Sequence, residues 1–381
     1  MIFDYVVLPL LFFTIGLLIT WLCIRRFIRL SQKHYRLWRK IAERIVLFAV
    51  ALVSVIVSIS SAYNVIAMHI FWAAQHAPGS FYQVNGRAMH LYCTGSGEPT
   101  VVLEAGWGVS SPVIGWGDFQ PDLAKITRVC SYDRAGLGWS EPQPGPADAD
   151  HIAANLHALL TQAGVTGPII LLAHSMGGVD VRDYMAHYPD HVAGLILLDS
   201  STPYQQQRLE AVTGPTTTPH MALIVRIYRT VYSSGIQRLM GMCKPASGLE
   251  PHTARALGED RCRMHFDALF NEYNNFDTSS AETVHSGPFG DLPILIVSHD
   301  PAKGADPGNP PAAMKIEPVW NQMQEELKNL STHSQRIIAK GSGHEVHSNR
   351  KALVLSRVQL FIAQIRGTAP QPASYGATVT E

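Results

Sequence analysis

Apolar residues follow two regimes along this chain. From Tyr5 to Ile24, and again from Ile45 to Trp72, no side chain carries a fixed charge. A hydrocarbon core of about 30 Å is crossed by roughly 20 apolar residues in a helix. A helix also satisfies every backbone polar group within the segment itself. The pattern predicts two transmembrane helices, about 3–24 and 45–72, in an anchor region spanning 1–76. After Pro78-Gly79 the apolar runs shorten. Phe81–Val84 and Arg87–Thr94 flank Asn85-Gly86, a hairpin turn dipeptide. Val101–Leu103, Thr127–Ser131, Ile169–Ala173, Leu195–Leu198, Ile294–Val297 and Arg336–Ile338 are short, apolar and mostly β-branched. Runs of that kind suit strands buried on both faces of a parallel sheet.

Between the strands, Asp148–Ala163 places Ile152, Leu156, Leu159 and Leu160 at helical spacing, and Val319–Leu330 repeats the pattern. Strand and helix alternating after an opening hairpin predict an α/β fold: a mostly parallel mixed sheet with helices on both faces, over 80–366. Residues 201–290 hold no clean strand and are too long for a loop, so an inserted helical cap is expected there. The polar stretch 367–381 reads as a disordered tail.

Composition explains the first regime and orients it. The chain is 46% hydrophobic and 16% charged, with zero formal net charge. Yet Arg25, Arg26, Arg29, Lys33, Arg36, Arg39, Lys40 and Arg44 crowd into 25–44 against the single acid Glu43. Basic residues flanking short loops remain cytoplasmic, so 25–44 is expected to be a cytoplasmic loop and everything after about Gln75 extracytoplasmic. A competing reading takes the second run, with Ser60, Ser61 and Ala62, as a cleaved signal segment; it too exports the remainder. No basic stripe interleaved with aromatics follows, which argues against a nucleic-acid partner. Of five cysteines, Cys243 and Cys262 form the best candidate disulfide, while Cys130 reads as a small buried hydrophobe. No Cys/His cluster has zinc-ligand spacing, so neither a metal nor another cofactor is expected.

The candidate chemistry begins at Leu171–Gly178, LLAHSMGG. An apolar strand runs into Ser175, flanked two positions away by Ala173 and Gly177, and a helical stretch follows. This is the strand–turn–helix setting of a nucleophile elbow, with alanine at the first glycine of G-x-S-x-G. Upstream, VVLEAGWG at 101–108 ends a strand in a glycine loop. The backbone N–H groups of Trp107 and Met176 are the candidate oxyanion donors. Glu104 reads as an ordinary strand-end residue. Downstream, GSGHEVH presents His344 after the last strand, with His347 as its rival; His174, beside the serine, reads as structural.

These segments, together with YDRAGLGWS at 132–140, resemble the α/β-hydrolase superfamily, most closely its serine esterase, proline-iminopeptidase and epoxide-hydrolase-like group. The resemblance covers about 80–365. It implies an α/β-hydrolase fold, with Asp133 and Arg134 holding a structural loop. It also implies that Ser175 is the nucleophile, that His344 is its base, and that an acid follows the penultimate strand. LPILIVSHDP places Asp300 there; Asp199, at the end of LILLDSS, is a position some relatives use, and Asp306 is a third option. A serine nucleophile argues against epoxide hydrolase chemistry, which uses aspartate in that group.

The expected function is therefore hydrolysis of an ester or amide through an acyl-enzyme, by a membrane-anchored serine hydrolase. The expected partners are a small acyl substrate, lipid-like if the cap works beside a bilayer, and the membrane itself. An aminopeptidase would need a cap carboxylate, for which Glu250, Glu259, Asp260 and Glu272 are candidates. An acyltransferase that excludes water would use the same triad, and a tethered binding module without activity would keep only the fold.

Overall fold

The computed structural model describes residues 6–32, 35–215, 221–245, 250–263, 265–304 and 310–381. The chain divides into two compact units, Met1–His76 with Thr218–Met264, and Ala77–Thr217 with His265–Glu381.

In the first unit two long helices, Leu8–Leu30 and Leu37–Ala73, pack antiparallel. Both are long and apolar enough to cross a membrane. Gly16 lets them touch: a Cβ there would lie 2.8 Å from the Ser54 carbonyl oxygen and closer still to the Ser58 hydroxyl. The Ser61 hydroxyl donates to the Pro9 carbonyl at 2.9 Å, and Arg26 pairs with Glu43 at 2.6 Å at the opposite end. The cytoplasmic loop expected over 25–44 shrinks to the connection 31–36. Arg25, Arg26 and Arg29 complete the first helix, and Arg39, Lys40 and Arg44 open the second. Arginine and lysine form helix as readily as leucine, so charge marks where apolar surface ends rather than where helix ends. The same unit holds helices Met221–Ser234, Ile236–Leu239 and Pro251–Asp260, with Cys243 disulfide-bonded to Cys262.

The second unit is built on a nine-stranded sheet. Its strands are β1 (Ser80–Val84), β2 (Arg87–Thr94), β3 (Thr100–Glu104), β4 (Val129–Tyr132), β5 (Ile169–His174), β6 (Val192–Leu198), β7 (Ile294–His299), β8 (Ser334–Ala339) and β9 (Thr378–Thr380). Their order is β1-β2-β4-β3-β5-β6-β7-β8-β9. The β1–β2 and β2–β4 pairs are antiparallel, the rest parallel. Asn85 and Gly86 take φ of 52° and 75°, the two left-handed positions that a tight hairpin requires.

Alternate residues of the central strands face opposite cores. Leu171, Leu195 and Ile296 pack beneath helices Ala149–Gln162 and Gly177–His187. Leu172, Ile196 and Val297 meet Val354, Val358 and Phe361 of helix Lys351–Ile365. Both faces are covered, which is why the strands read as continuous apolar runs.

Two expectations are corrected here. Cys130 is not a lone buried hydrophobe: β2–β4 pairing sets it directly opposite Cys93, with 4.0 Å between Cα atoms, and the two are disulfide-bonded. Nor is 367–381 without structure, since Thr378–Thr380 adds β9 in parallel to β8 and Glu381 pairs with Arg357 at 2.7 Å. Ladder hydrogen bonds use the backbone, so a polar composition does not exclude an edge strand.

Candidate active site

Ser175 sits between β5 and helix Gly177–His187 with φ of 53°, a left-handed conformation that is unusual for a residue with a Cβ. The elbow is enforced by neighbours without room to give. A Cβ on Gly177 would come within 2.9 Å of the Glu104 and Ala105 carbonyl oxygens, and one on Gly178 would collide with Ser200. Ala173, by contrast, is a buried strand residue between Glu104 of β3 and Leu197 of β6, where a methyl group fits. The alanine in place of glycine therefore leaves the turn intact.

His344 and Ser175 come together although 169 residues separate them. His344 Nε2 lies 2.9 Å from Ser175 Oγ, and its Nδ1 lies 2.6 Å from Asp199 Oδ2. Asp300 is not the partner. Its carboxylate accepts from the backbone N–H groups of Gly341 (2.8 Å) and Ala302 (3.0 Å), tying down the loops around it. Asp199 takes the place because it directly follows β6, the neighbour of β5, and turns with φ of 42° toward the histidine loop. Asp306 lies outside the described residues.

Asp199 is fully buried, which by itself favours the neutral acid. Hydrogen bonds from His299 and His344, reinforced by their charge, outweigh burial and hold its carboxyl far below the usual range. Oδ1 accepts from the Trp320 indole (3.0 Å) and from the backbone N–H (3.1 Å) and Nδ1 (2.8 Å) of His299. His299 Nε2 in turn contacts Glu317 at 2.7 Å. Burial opposes charge on His299, but the two flanking carboxylates push its pKa up to about 9. At neutral pH His299 therefore carries a positive charge beside the Asp199 carboxylate. Desolvation likewise lowers and Asp199 raises the pKa of His344, with a net upward shift.

The loop after β3 closes on the serine. A Cβ on Gly106 would sit 3.0 Å from Ser175 Cβ. Trp107 is anchored through its side chain, the indole donating to the Leu269 carbonyl at 2.7 Å. Met176 is the N-cap of helix Gly177–His187, a position whose N–H has no acceptor within the helix. Arg134 holds this loop from below, donating to the carbonyls of Ala105 (2.7 Å) and Gly106 (3.1 Å) and pairing with Glu104 (2.8 Å) and Glu272 (2.7 Å). Glu104 is therefore no ordinary strand end. It is fully buried, desolvation raises its pKa, and Tyr132 donates to it at 2.5 Å. His174 Nε2 meets the His344 carbonyl at 3.1 Å and steadies that loop. His347, on the short helix Val346–Asn349, is buried against Trp116 and Phe119.

Sequence reasoning missed His299, Glu317 and Trp320. A histidine before Asp300 gave a faint signal for the first. For the other two, on helix Pro310–Glu326, there was none. The arrangement can activate a hydroxyl, hold the resulting imidazolium against a buried carboxylate, and offer backbone donors to a developing oxyanion.

The chain belongs to the alpha/beta hydrolase fold family, whose model matches residues 99–291. It is 24% identical over 291 residues to the uncharacterized protein YqjL of Bacillus subtilis, covering 76% of this chain and 94% of that one. It is 28% identical over 170 residues to YbdG, also uncharacterized and from the same bacterium, covering 44% of this chain and only 52% of YbdG. Among solved structures it resembles a thermophilic esterase from Thermogutta terrifontis (TM-score 0.52, 19% identity, 77% of this chain and 99% of that one). It also resembles epoxide hydrolase VrEH1 from Vigna radiata (TM-score 0.55, 16% identity, 75% and 97%). At such identities the likeness concerns the fold.

Proposed function

We propose that this protein is a membrane-anchored serine hydrolase that cleaves an ester through an acyl-enzyme, with Ser175 as nucleophile, His344 as general base and acid, and Asp199 as its orienting carboxylate. One observation carries the reading: the unbroken hydrogen-bond path from Ser175 Oγ through His344 to Asp199, at 2.9 and 2.6 Å. In the proposed reaction Ser175 Oγ attacks the carbonyl carbon as His344 Nε2 takes its proton. The N–H groups of Trp107 and Met176 face the oxyanion. The tetrahedral adduct collapses, His344 returns the proton to the leaving alcohol, and water repeats the sequence to release the acid.

Esterase-type relatives of the same fold favour an ester. The aminopeptidase reading is disfavoured by the state of two of its candidate carboxylates. Glu272 is occupied by two of the three Arg134 nitrogens, Nε and Nη2, and Glu259 by both terminal nitrogens of Arg238. Neither is left to hold a substrate amine. The two apolar helices act as the anchor in this reading, with the basic residues cytoplasmic and the hydrolase unit outside. The two disulfides accord with an oxidising compartment.

A fluorophosphonate probe tests the nucleophile. Wild type should label and Ser175→Ala should not; equal labelling would sink the proposal. Hydrolysis of p-nitrophenyl esters of rising chain length, beside aminoacyl-amides, tests the substrate class. A reporter fused at the C-terminus, active only when exported, tests the orientation.

A further inference from the structure

Within the first unit, the segment that follows the sheet's sixth strand is built inside out. On helices Met221–Ser234 and Ile236–Leu239 the polar Ser233, Ser234 and Gln237 are buried. Ile227, Tyr228 and Leu239 are each more than half exposed, and Met240 beyond them is 73% exposed. A helix at a water surface shows the opposite arrangement.

The level of this segment relative to the anchor can be worked out. Helix Leu37–Ala73 has 37 residues, about 55 Å at helical rise, far more than a hydrocarbon core of about 30 Å. Its basic residues end at Arg44, so about 20 further residues bring it to the far edge of the core near Ser61–Asn64. The partner helix agrees, because its N-terminal end meets that level where Ser61 donates to the Pro9 carbonyl. The inverted segment is fastened at the same place. The Ser61 hydroxyl also reaches the Ser233 carbonyl (3.1 Å), Asn64 Nδ2 donates to the Tyr232 carbonyl (3.4 Å), and Arg238 donates to Asn64 Oδ1 (3.0 Å). Gly235 allows the approach, since a Cβ there would lie within 2.4 Å of the Ser60 carbonyl oxygen.

We propose that Met221–Met242 is a third membrane-contacting element, lying in the boundary between headgroups and acyl chains with its outward apolar face in lipid. The inference rests on the reading of the two long helices as membrane spans. The occupant is lipid rather than protein, because the segment is fastened at Ser60, Ser61 and Asn64, the stretch where the spanning helix itself exposes Ile59, Tyr63 and Ile66 at the depth of the acyl-chain boundary. Tyr63 and Tyr228 fit the aromatic belt at a membrane–water interface. A segment of this kind adds apolar contact area in the interfacial plane without crossing the bilayer.

The test places one spin label at a time, through Ile227→Cys or Met240→Cys in a Cys23→Ser background. The full chain is reconstituted in phosphatidylcholine–phosphatidylglycerol vesicles. Accessibility to oxygen, which concentrates in lipid, is compared with that to a water-soluble nickel chelate. Leu52→Cys in the spanning helix and Leu360→Cys in the hydrolase unit are the references. Labels at 227 and 240 are expected to be oxygen-dominated, like the label at 52 and unlike that at 360. If 227 and 240 behave like 360 while 52 stays oxygen-dominated, the docking proposal fails and the spans survive. If 227 and 240 are closed to both reagents and show spin–spin coupling, a second copy covers the face and the proposal also fails. A chelate-accessible 52 would overturn the spans and the docking together.

Discussion

Replacing Asp199 by asparagine is expected to abolish turnover while leaving the fold in place, and the structure indicates why. Asp199 Oδ1 is surrounded by three donors: the Trp320 indole, the His299 backbone N–H and His299 Nδ1. An asparagine at 199 must direct its carbonyl oxygen there, which turns its NH2 toward His344 Nδ1. That nitrogen would have to accept instead of donate, so the imidazole would carry its proton on Nε2, pointing at Ser175 Oγ. A base in that tautomer cannot take the serine proton. Loss of the correct tautomer costs roughly 10⁴-fold in kcat in serine hydrolases of this design, about 5.5 kcal/mol of transition-state stabilisation. Asp300→Asn provides the control. It gives up one acceptor to the Gly341 and Ala302 N–H groups, about 1 kcal/mol of stability. It should leave kcat within roughly threefold, because its carboxylate bonds elsewhere than to His344. The assay is kcat on a p-nitrophenyl ester, with thermal unfolding measured in parallel. A collapse in Asp300→Asn alongside near-normal turnover in Asp199→Asn would refute the assignment.

Other outcomes follow from the same geometry. In the proposed mechanism His344 must be neutral to act, and Asp199 raises its pKa. Wild-type kcat/KM should therefore fall on acidification through a midpoint above the ordinary histidine value of about 6.5. The charge on His299 opposes protonation of His344, so His299→Gln should move that midpoint upward, a shift that loss of packing alone would not produce. His299 also links stability to pH. Its folded pKa of about 9 exceeds the unfolded value of about 6.5. Its contribution is full below about 6.5 and disappears as pH rises through about 9. The stability gap between wild type and His299→Gln in urea melts should accordingly narrow from pH 6 to pH 9.5. Arg134→Met leaves Glu104 and Glu272 buried without their cation and should cost about 3–5 kcal/mol in the same melts. Reducing the Cys93–Cys130 bridge, which closes a 37-residue separation, should cost about 3–4 kcal/mol.

Some features of this protein are local, and these the sequence determines by itself. Strand runs apolar on both faces, the Asn85-Gly86 hairpin and the two uncharged helices depend on neighbours a few residues apart. Ser175 and His344 stand out for the same reason, since a strand ending in a small-residue turn, or in a glycine loop, is visible in a short window. The carboxylate that meets His344 is another matter. Asp199 and Asp300 both follow strands, and nothing within ten residues of either tells which one faces His344. That is settled by β6 lying beside β5, together with the left-handed turn at Asp199. Tertiary structure alone also pairs Cys93 with Cys130 across two antiparallel strands and brings Arg134 to Glu272 over 138 positions. It likewise sets Trp320 against Asp199, and Glu317 against His299, from a helix whose pattern shows only an amphipathic surface. Each of these contacts depends on which elements become neighbours in space, and that is decided by the packing of the whole sheet and its helices.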